Sequence, residues 1–511
     1  MAENKKKGKV FLVGAGPGDP GLLTIKAKEC IEKADVLVYD YLANEIFLQY
    51  TKPGAELIYV GKKSGSHTKT QDEINSIICE KALAGLMVTR LKGGDPFIFG
   101  RGGEEALELL KSGISFEIVS GVSSAIAVPA YAGIPLTHRD HTASVALVTG
   151  HEKTSKYRSN ISWEKLATGV GTIVFLMGIG NLKNICHELL KNGLSPETPV
   201  AIIHKGTLPE QKTITGSLEN IYEIAQKEKI KPPGIIVVGE VVGLRKELNW
   251  FETKPLFGKK IVVTRAREQA SSFLADLREL GAYCIEFPTI EVIPPEDWAP
   301  LDKSIEEIDN YNWLLFTSIN SVKYFFNRLY ENGKDVRALK DIKVAAIGPK
   351  TADSVRSYGI MPDLVPPEYR AEAVIEAFKE FKADDLKILF PRALKAREIL
   401  PEELKKLGAH ISIVDVYKTL IPQNKVESIA GMLEAGEIDM ITFTSSSTVT
   451  NFMGMFGDRA DQVKTWLKFV QIASIGPITS ATAKELGLDI TVEPGDYTID
   501  ALTDAIVKHY S

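Results

Sequence analysis

Two glycine-rich loops carry residues whose types and spacing fit chemistry on a bound ligand. They are GAGPGDPGLLT from Gly14 and LKGGDPFIFGRGGEE from Leu91. Each follows a short apolar run, which is typical of a strand that ends in a loop whose backbone contacts a ligand. The first loop departs from the dinucleotide pattern GxGxxG at Asp19, and Pro17 and Pro20 remove N–H donors that a pyrophosphate would need. The pattern favours a ligand without phosphate, such as S-adenosylmethionine.

Charged side chains accompany these loops. Asp40 ends the apolar run VLVYD, at the strand end where open α/β sheets place ligand groups. Arg101 and Glu104 open a helix in GRGGEE, and His138 with Arg139 adds a basic rim. Taken singly, such charges are more often solvated surface residues. An arginine is a poor base because its pKa exceeds 12, but it can grip a carboxylate with two hydrogen bonds.

The second half of the chain holds a different set of polar residues. Thr317/Ser318 and Thr444/Ser445 each end an apolar run and open a helix, a geometry that offers hydroxyl and backbone N–H groups to an anion. Simple N-capping of the helices is the competing interpretation. Five basic residues could hold carboxylates, although some of them only decorate the surface: Arg265, Arg267, Arg392, Lys395 and Arg397.

Cysteine usage gives no sign of a metal site. Cys30, Cys79 and Cys186 fall in predicted helices and Cys284 in a predicted strand, with no CxxC spacing among them. Small buried hydrophobes in a reducing compartment are the expected role. Since no His/Cys cluster has metal-ligand spacing, we predict no metal.

Composition limits the class of protein. The 511 residues, 44% hydrophobic and 25% charged, are typical of a globular chain of two to four domains. A formal net charge of −5 argues against a nucleic-acid partner. No signal-peptide h-region follows the charged start, and no apolar run approaches 18 residues, so we expect no membrane association and a cytoplasmic location.

The pattern of elements predicts an α/β protein in two parts. Strand and helix patterns alternate to about residue 250, with two subdomains dividing after Asp140. The periodicity breaks over 252–258, which predicts domains at 1–252 and 258–511.

An internal repeat organises the second part. Arg265 and Arg392 lie 127 positions apart, as do Thr317 and Thr444, in segments with similar sequence. A constant offset predicts two copies of one parallel-sheet α/β unit, hence two lobes, at about 258–290 plus 424–511 and about 296–417. EVIPPED and VYKTLIPQN, also one period apart, are the predicted strands that cross between the lobes.

Linked motifs in the first part carry a family resemblance. GAGPGDPGLLT, VLVYDYL, YVGKKSG, LKGGDPFIFGRGGEE, SGVSSAIA, GIPLTHRD and VTGH, in this order, resemble the tetrapyrrole methylases over about 9–250, and most of all those that methylate uroporphyrinogen III. The resemblance implies S-adenosylmethionine as methyl donor. It also assigns Asp40 as proton acceptor, Lys62 as proton donor and Arg101 as a proposed base. The implied cofactor-binding residues are Pro17, Gly93, Gly94, Asp95, Ile98, Ser123, Ser124, Met177 and Gly206.

The second part resembles the uroporphyrinogen-III synthases. VTRA, TSINSV, AAIGPKTA, FPRALKARE, VYKT, ITFTSSSTV and IGPITSATA carry this resemblance over about 258–511. It implies Tyr417 as the group that protonates the departing hydroxyl of hydroxymethylbilane, with Thr479 as the next residue to consider.

Together the resemblances imply two consecutive steps of tetrapyrrole biosynthesis. The second part would close hydroxymethylbilane with inversion of ring D, and the first would methylate the product at C2 and C7 to give precorrin-2 for sirohaem or cobalamin. A homodimer through the methylase half is also implied. Two alternatives stay open: a nicotinamide-dependent dehydrogenase using GAGPGD, and a second part that binds tetrapyrrole without catalysis.

Overall fold

The computed structural model describes residues 7–61, 69–151, 160–265, 267–366, 371–381, 386–394, 399–422 and 426–511, without the side chains of 267–271 and 371–372. The chain divides into two compact units. The first comprises Met1–Lys259 with Leu277–Tyr283 and Tyr510–Ser511, and the second comprises Lys260–Asp276 with Cys284–His509.

The first unit alternates strands with helices. Its strands are β1 (Lys9–Gly14), β2 (Val36–Tyr39), β3 (Glu56–Tyr59), β4 (Val88–Lys92), β5 (Ser115–Val119), β6 (Val145–Thr149), β7 (Thr172–Leu176), β8 (Pro199–His204), β9 (Lys212–Ser217) and β10 (Gly234–Val238). Its helices are α1 (Ile25–Lys33), α2 (Gln71–Leu83), α3 (Gly102–Lys111), α4 (Ser124–Tyr131), α5 (Trp163–Gly169), α6 (Leu182–Lys191), α7 (Ile221–Lys227) and α8 (Arg245–Leu248).

The strands β1–β5 form one parallel sheet in the order β3-β2-β4-β1-β5. Both of its faces are covered, because Val36 and Val38 pack in one apolar cluster and Leu37 in another. That double burial is why these strands read as continuous apolar runs. The carboxyl ends of all five strands meet at one edge, which brings the loops after them together.

The remaining strands of the unit form a second, mixed sheet in the order β6-β7-β10-β8-β9. The strand β10 runs antiparallel to both β7 and β8, so β7 and β8 point in the same direction. Because β6 begins at Val145, just beyond Asp140, the predicted two-subdomain arrangement is confirmed.

The strands and helices from Lys260 onward build the second unit, although the end of one helix and the start of one strand, within Leu277–Tyr283, and the helix end at Tyr510 group with the first unit. The strands are β11 (Lys260–Val263), β12 (Tyr283–Glu286), β13 (Glu291–Ile293), β14 (Trp313–Phe316), β15 (Lys343–Ala346), β16 (Lys387–Ala393), β17 (His410–Leu420), β18 (Met440–Phe443) and β19 (Gln471–Ser474). The helices are α9 (Arg267–Glu279), α10 (Ala299–Glu306), α11 (Ile319–Glu331), α12 (Pro349–Ser357), α13 (Ala371–Phe378), α14 (Ile399–Lys406), α15 (Val426–Glu434), α16 (Ser446–Met455), α17 (Ala460–Leu467), α18 (Pro477–Glu485) and α19 (Ile499–Tyr510).

The internal repeat appears as two sheets of equal topology. Their orders are β12-β11-β18-β19 and β17-β16-β14-β15, the latter extended by β13. The strand β14 lies 127 positions before β18, and α11 begins 127 positions before α16, so equivalent strands occupy equivalent places. Each sheet takes two of these strands from the first repeat and two from the second. The predicted pair of lobes is therefore confirmed.

The predicted crossing strands pair with each other. Val292 in β13 stands opposite Thr419 in β17, and the pairing is antiparallel, unlike the other strand pairs recorded within this sheet. The sequence pattern predicted parallel sheets and missed this exception, because a three-residue strand is too short to show a period.

The cysteines lie in the elements that the sequence pattern predicts. Cys30, Cys79 and Cys186 lie in α1, α2 and α6, Cys284 lies in β12, and all four are free thiols. Among the helices described, none has the length and apolar character needed to cross a membrane.

Candidate active sites

Three loops at the carboxyl edge of the first sheet interlock through their backbones. The Gly16 N–H donates to the Gly94 carbonyl at 3.2 Å, and the Gly94 N–H donates back to the Gly16 carbonyl at 2.7 Å. A Cβ added to Gly121, in the loop after β5, would lie 2.4 Å from the Gly94 oxygen. Glycine is needed there because the loops approach one another so closely. A Cβ on Gly93 would meet the Leu42 side chain at 2.5 Å, so this glycine also makes room for protein.

Asp95 fastens two of these loops together. Its Oδ1 accepts from the Phe97 N–H at 2.7 Å, and its Oδ2 accepts from the Gly121 N–H at 3.1 Å, with the residue 8% exposed. The family resemblance implies that this carboxylate also binds the cofactor, where it could accept from a ribose hydroxyl or an α-amino group. Each oxygen has a second lone pair, so the internal bonds leave that capacity in place.

Asp19 explains the departure of the first loop from GxGxxG. Its side chain accepts from the Gly21 N–H at 2.7 Å and from the Tyr131 hydroxyl at 2.6 Å, while its own N–H donates to Thr207 Oγ1 at 3.2 Å. Burial and the bond to Asp19 raise the pKa of Tyr131 well above its ordinary value, so the phenol stays a donor. Asp19 thus ties the loop after β1 to α4 and to the loop after β8. Sequence reasoning missed Tyr131, for which no motif gives a signal.

The other predicted cofactor-binding residues also follow strands. Ser123 is buried and caps α4, with its Oγ accepting from the Ala125 N–H at 3.3 Å, and Ser124 is the first residue of that helix. Gly206 follows β8 and packs on α4, since a Cβ there would lie 2.3 Å from the Val128 side chain. Met177 follows β7 and is 54% exposed. Pro17 and Ile98 lie in the loops after β1 and β4, the latter 39% exposed.

Unusual backbone marks the same region. Non-glycine residues adopt the left-handed conformation in the loops after β4, β7 and β8, and they are Phe99 (φ 53°), Arg101 (φ 58°), Met177 (φ 55°), Lys205 (φ 48°) and Thr207 (φ 70°). Such conformations cluster at functional sites, where the surrounding structure holds them. These conformations indicate that the three loops have a functional role in addition to connecting secondary-structure elements.

Asp40 and Arg101 are both engaged by neighbouring side chains. Arg90 Nη2 lies 2.9 Å from Asp40 Oδ2, and the Leu42 N–H donates to Asp40 Oδ1 at 3.1 Å. Arg101 grips Glu104 with two hydrogen bonds, at 3.0 and 2.6 Å, on an exposed surface. Donation of these hydrogen bonds to the Glu104 carboxylate raises the pKa of Arg101, which makes proton removal by its guanidinium still harder.

Behind Asp40 lies a buried charge cluster that sequence reasoning missed. It comprises Arg90, Lys92 and Glu105, which are 3%, 5% and 1% exposed. Lys92 Nζ lies 2.8 Å and Arg90 Nε 3.4 Å from Glu105 Oε1. Burial lowers the pKa of the Lys92 ammonium. The sequence did contain an indication of this cluster. Arg90 and Lys92 are two cations at alternate positions of the run VTRLK, which is unusual in a strand buried on both faces.

The structure adds little about two further predicted residues of this half, Arg139 and Lys62. Arg139 is exposed, next to His138, whose ring lies 4.9 Å from that of His141. Lys62 lies outside the described residues.

In the second unit the structure brings Tyr417 and Ser318 together. The Tyr417 hydroxyl lies 3.2 Å from Ser318 Oγ, and the Tyr417 ring stacks on Tyr324 with a centroid separation of 6.0 Å. Ser318 also caps α11, accepting from the Ser321 N–H at 3.1 Å. Only 9% of Tyr417 is exposed, so the ring packs in the lobe core while its hydroxyl contacts the residue that caps α11.

The equivalent junction in the other lobe repeats this capping. Ser445 Oγ accepts from the Thr448 N–H at 3.3 Å, so simple N-capping applies to both copies. Ser446 Oγ donates to the Ile478 carbonyl at 3.3 Å, which joins the start of α16 to the first turn of α18, the turn that also contains Thr479.

The predicted basic residues fall at strand ends. Arg392 is buried near the end of β16, whose Ala393 pairs with Tyr417, and Thr317 follows β14 directly. Arg265 follows β11, and burial lowers its pKa. The remaining predictions, Lys395, Arg397 and the side chain of Arg267, lie outside the described residues. In the part of the chain that the structure describes, no three His, Cys, Asp or Glu side chains group as metal ligands.

Comparison with known proteins separates the same two parts. Residues 9–222 match the family of tetrapyrrole (corrin/porphyrin) methylases, and residues 271–504 match the family of uroporphyrinogen-III synthase HemD. A porphyrin biosynthesis protein HemD from Ruminiclostridium josui is 37% identical over 501 residues, which is 98% of each chain. The chain belongs to both families.

Other relatives match the first part alone. A uroporphyrinogen-III C-methyltransferase of Priestia megaterium is 53% identical over 46% of this chain and 98% of its own. A crystal structure of a uroporphyrin-III C-methyltransferase from Thermus thermophilus with S-adenyl homocysteine is 40% identical over 46% of this chain and all of its own, with a TM-score of 0.41. Both predicted resemblances, and the joining of a methyltransferase to a synthase, are confirmed. Nothing in the comparisons favours the dehydrogenase.

Proposed function

We propose that this chain catalyses two consecutive steps of tetrapyrrole biosynthesis. The synthase half closes hydroxymethylbilane with inversion of ring D to uroporphyrinogen III. The methylase half then methylates that product at C2 and C7 to precorrin-2, with S-adenosylmethionine as donor. The observation that carries the proposal is the union of both families in one chain, because the product of the second half is the substrate of the first.

The loops of the methylase half fit S-adenosylmethionine. The loop after β1 contains two prolines without N–H groups, as suits a ligand without phosphate, and the exposed Ile98 and Met177 offer apolar surface to an adenosine. The residues proposed to hold the donor are Pro17, Gly93, Gly94, Asp95, Ile98, Ser123, Ser124, Met177 and Gly206. When bound, S-adenosylmethionine supplies a sulfonium methyl group, and each transfer forms one C–C bond, breaks one C–S bond and leaves one proton to be removed.

The side chains at the sheet edge handle substrate and proton. Asp40, fixed at the end of β2 and 24% exposed in its side chain, is the proposed proton acceptor, with Lys62 as donor. Arg101 and Arg139 are proposed to orient the eight-carboxylate macrocycle, since exposed arginines bind carboxylates in a bidentate manner. Glu104, the third proposed substrate-binding residue, holds the Arg101 guanidinium until a substrate carboxylate takes its place. Orientation of substrate against donor is the main task of such a site.

The synthase half must assist loss of a hydroxyl and direct ring closure. Tyr417 is proposed to donate the proton, supported by its contact with Ser318 at the N-terminus of α11. Helix N-termini at Thr317/Ser318 and Thr444/Ser445, together with Arg265, Arg392 and Thr479, are proposed to hold acetate and propionate groups.

A single reaction tests the proposal. Purified full-length protein receives hydroxymethylbilane and S-adenosylmethionine, and products are followed by absorbance and mass. We expect a product with two added methyl groups, and type III uroporphyrinogen when the donor is omitted. Type I uroporphyrinogen alone would instead identify the second half as a tetrapyrrole-binding module without catalysis. Absence of methylation when uroporphyrinogen III itself is supplied would refute the methylase assignment.

A further inference from the structure

The buried charge cluster lies directly behind Asp40. Arg90 and Lys92 are two residues apart on β4, so their side chains leave the same face of the sheet, and Glu105 reaches them from α3. Burying a charge is costly unless it is paired. With Asp40, the cluster contains two cations and two carboxylates, so its formal charge balances.

Asp40 is the outward end of this cluster. One carboxylate oxygen faces Arg90 Nη2 at 2.9 Å and the other accepts from the Leu42 N–H at 3.1 Å. Two separate partners fix both the position and the rotation of the carboxylate. Its side chain remains 24% exposed, whereas that of Arg90 is 4% exposed. The carboxylate can therefore be reached by substrate, but its guanidinium partner cannot.

Arg90 is itself held from two sides. Its Nη1 donates to the Leu91 carbonyl at 2.9 Å, and its Nε lies 3.4 Å from Glu105 Oε1. The same Glu105 oxygen accepts from Lys92 Nζ at 2.8 Å and from Gln71 Nε2 at 3.1 Å. Arg90 thus has little freedom to move with Asp40 or away from it.

Stability alone gives a weak reason for such a cluster. Buried ion pairs often contribute no more to folding than apolar residues of the same volume would. What the cluster does supply is a carboxylate held in one orientation at a strand end, where an unsupported aspartate would sample several rotamers.

We propose that Arg90 is a positioning residue for the methylation reaction, which acts by fixing Asp40 through a cluster completed by Glu105 and Lys92. This inference rests on the proposed role of Asp40 as proton acceptor in the methylase half.

Four variants of the full-length protein test it: Asp40→Asn, Arg90→Gln, the double variant, and Thr89→Val as a control. Thr89 is also buried on β4, and its hydroxyl donates to the Cys30 carbonyl at 2.8 Å, so Thr89→Val removes one buried hydrogen bond without touching Asp40. Each protein receives uroporphyrinogen III and S-adenosylmethionine, and kcat, KM, affinity for S-adenosylhomocysteine and melting temperature are measured.

We expect Asp40→Asn to lower kcat by about 10²- to 10⁴-fold, as loss of a proton-transfer group does. Arg90→Gln should lower kcat by up to about 10²-fold, the effect of a misplaced group, with KM and cofactor affinity nearly unchanged. Because Arg90 acts through Asp40, the double variant should be no slower than Asp40→Asn alone. Thr89→Val should melt earlier but keep its kcat. Should Arg90→Gln fold poorly, Arg90→Lys keeps a cation between the two carboxylates, and the same pattern is expected of it.

Two results would overturn the inference. Arg90 variants that retain wild-type kcat while Asp40→Asn is slow would make the cluster purely structural. Multiplying losses in the double variant would show that Arg90 acts independently of Asp40. Failure of the proposed function looks different, because the unmodified protein would then not methylate uroporphyrinogen III at all.

Discussion

At the scale of single residues, Arg101 shows how a substrate contact can be prepared. Its guanidinium holds Glu104 in a bidentate pair of which both partners are at least half exposed. Such pairs contribute only about 0.2–1 kcal/mol, so a substrate carboxylate can replace Glu104 at little cost. Arg101 directly precedes α3 and has left-handed backbone, with φ 58°. Exchange of one carboxylate for another suits a binding role.

Replacing Arg101 by alanine tests that role. Arg101→Ala should abolish precorrin-2 formation and leave S-adenosylmethionine affinity nearly unchanged, because the proposed role of this side chain is to bind substrate and not the donor. Calorimetry and turnover measurements separate the two effects. Lys111→Ala is the matched control, since Lys111 also forms an exposed i,i+3 pair, with Glu108, at the other end of α3. A large loss of donor affinity in Arg101→Ala would assign the residue to the cofactor site or to folding.

Tyr417 permits an equally specific test in the synthase half. Tyr417→Phe keeps the stacked ring and removes only the hydroxyl that contacts Ser318. Loss of a general acid typically lowers the rate by about 10²- to 10⁴-fold. Type III product should form slowly, and type I should rise because uncatalysed closure competes. Chromatography of the oxidised porphyrins measures the ratio.

The neighbouring phenol provides the control. Tyr324 stacks on Tyr417, and its hydroxyl donates to the Val292 carbonyl at 3.2 Å, so Tyr324→Phe removes a similar group away from Ser318. We expect Tyr324→Phe to keep both rate and isomer ratio. If Tyr417→Phe behaves in the same way, Thr479 or an ordered water becomes the next candidate for the proton donor.

At the scale of elements, the glycines allow the glycine-rich loops to pack closely against one another as well as to approach a ligand. The sequence predicted that Gly93 and Gly94 admit a ligand, but the closest approaches in the structure are between loops. Gly121 lies 27 positions after Gly94 and belongs to another strand end. No local pattern reveals such a meeting, because it depends on the strand order.

The glycine at this junction can be tested directly. Gly121→Ala places a Cβ 2.4 Å from the Gly94 oxygen, so backbone must shift. Overpacking of this kind costs about 1–3 kcal/mol, and the three loops should lose their register. We expect a lower melting temperature and weaker binding of S-adenosylhomocysteine. Gly103→Ala, in α3 with no atom within 4 Å of the added Cβ, should leave both unchanged or raise stability slightly. Normal binding in Gly121→Ala would contradict this account.

Whether a feature can be predicted from the sequence depends on whether a sequence pattern records it or whether it arises from contacts between distant residues. The internal repeat predicted both lobes, because a constant sequence offset between the two copies does not depend on local packing. Tyr417 was assigned from the family motif that contains it. The pairing of Arg90 with Asp40 joins residues 50 positions apart on neighbouring strands, and Tyr131 reaches Asp19 across 112 positions. Hydrophobic periodicity carries no information about such polar contacts, so they had to come from the structure.

At the scale of the whole molecule, each lobe of the second unit combines strands from both sequence repeats. Strands β11 and β12 of the first repeat join β18 and β19 of the second in one sheet, while β14 to β17 form the other. The chain passes between the lobes through the two segments that pair as β13 and β17. Neither repeat can therefore complete a sheet alone, and the second unit should fold only as a whole.

The two units, by contrast, should be separable. Each has its own sheets and apolar clusters, and the sequence between them lacks a regular period. Expression of residues 1–254 and 256–511 as separate chains should give two folded proteins. We expect the first to methylate uroporphyrinogen III and the second to cyclise hydroxymethylbilane. Light scattering on the first also tests the implied homodimer.

The control for this separation divides the second unit instead. A chain ending at residue 380 contains the complete first repeat but lacks β18 and β19, which pair beside β11, so it should not fold. Mixing the two halves and comparing their coupled rate with that of the intact chain then measures what the fusion adds. Equal rates at equal concentrations mean that uroporphyrinogen III passes through solution. If neither half is soluble and active while the intact chain is, the boundary near residue 255 is misplaced or the two units require each other to fold.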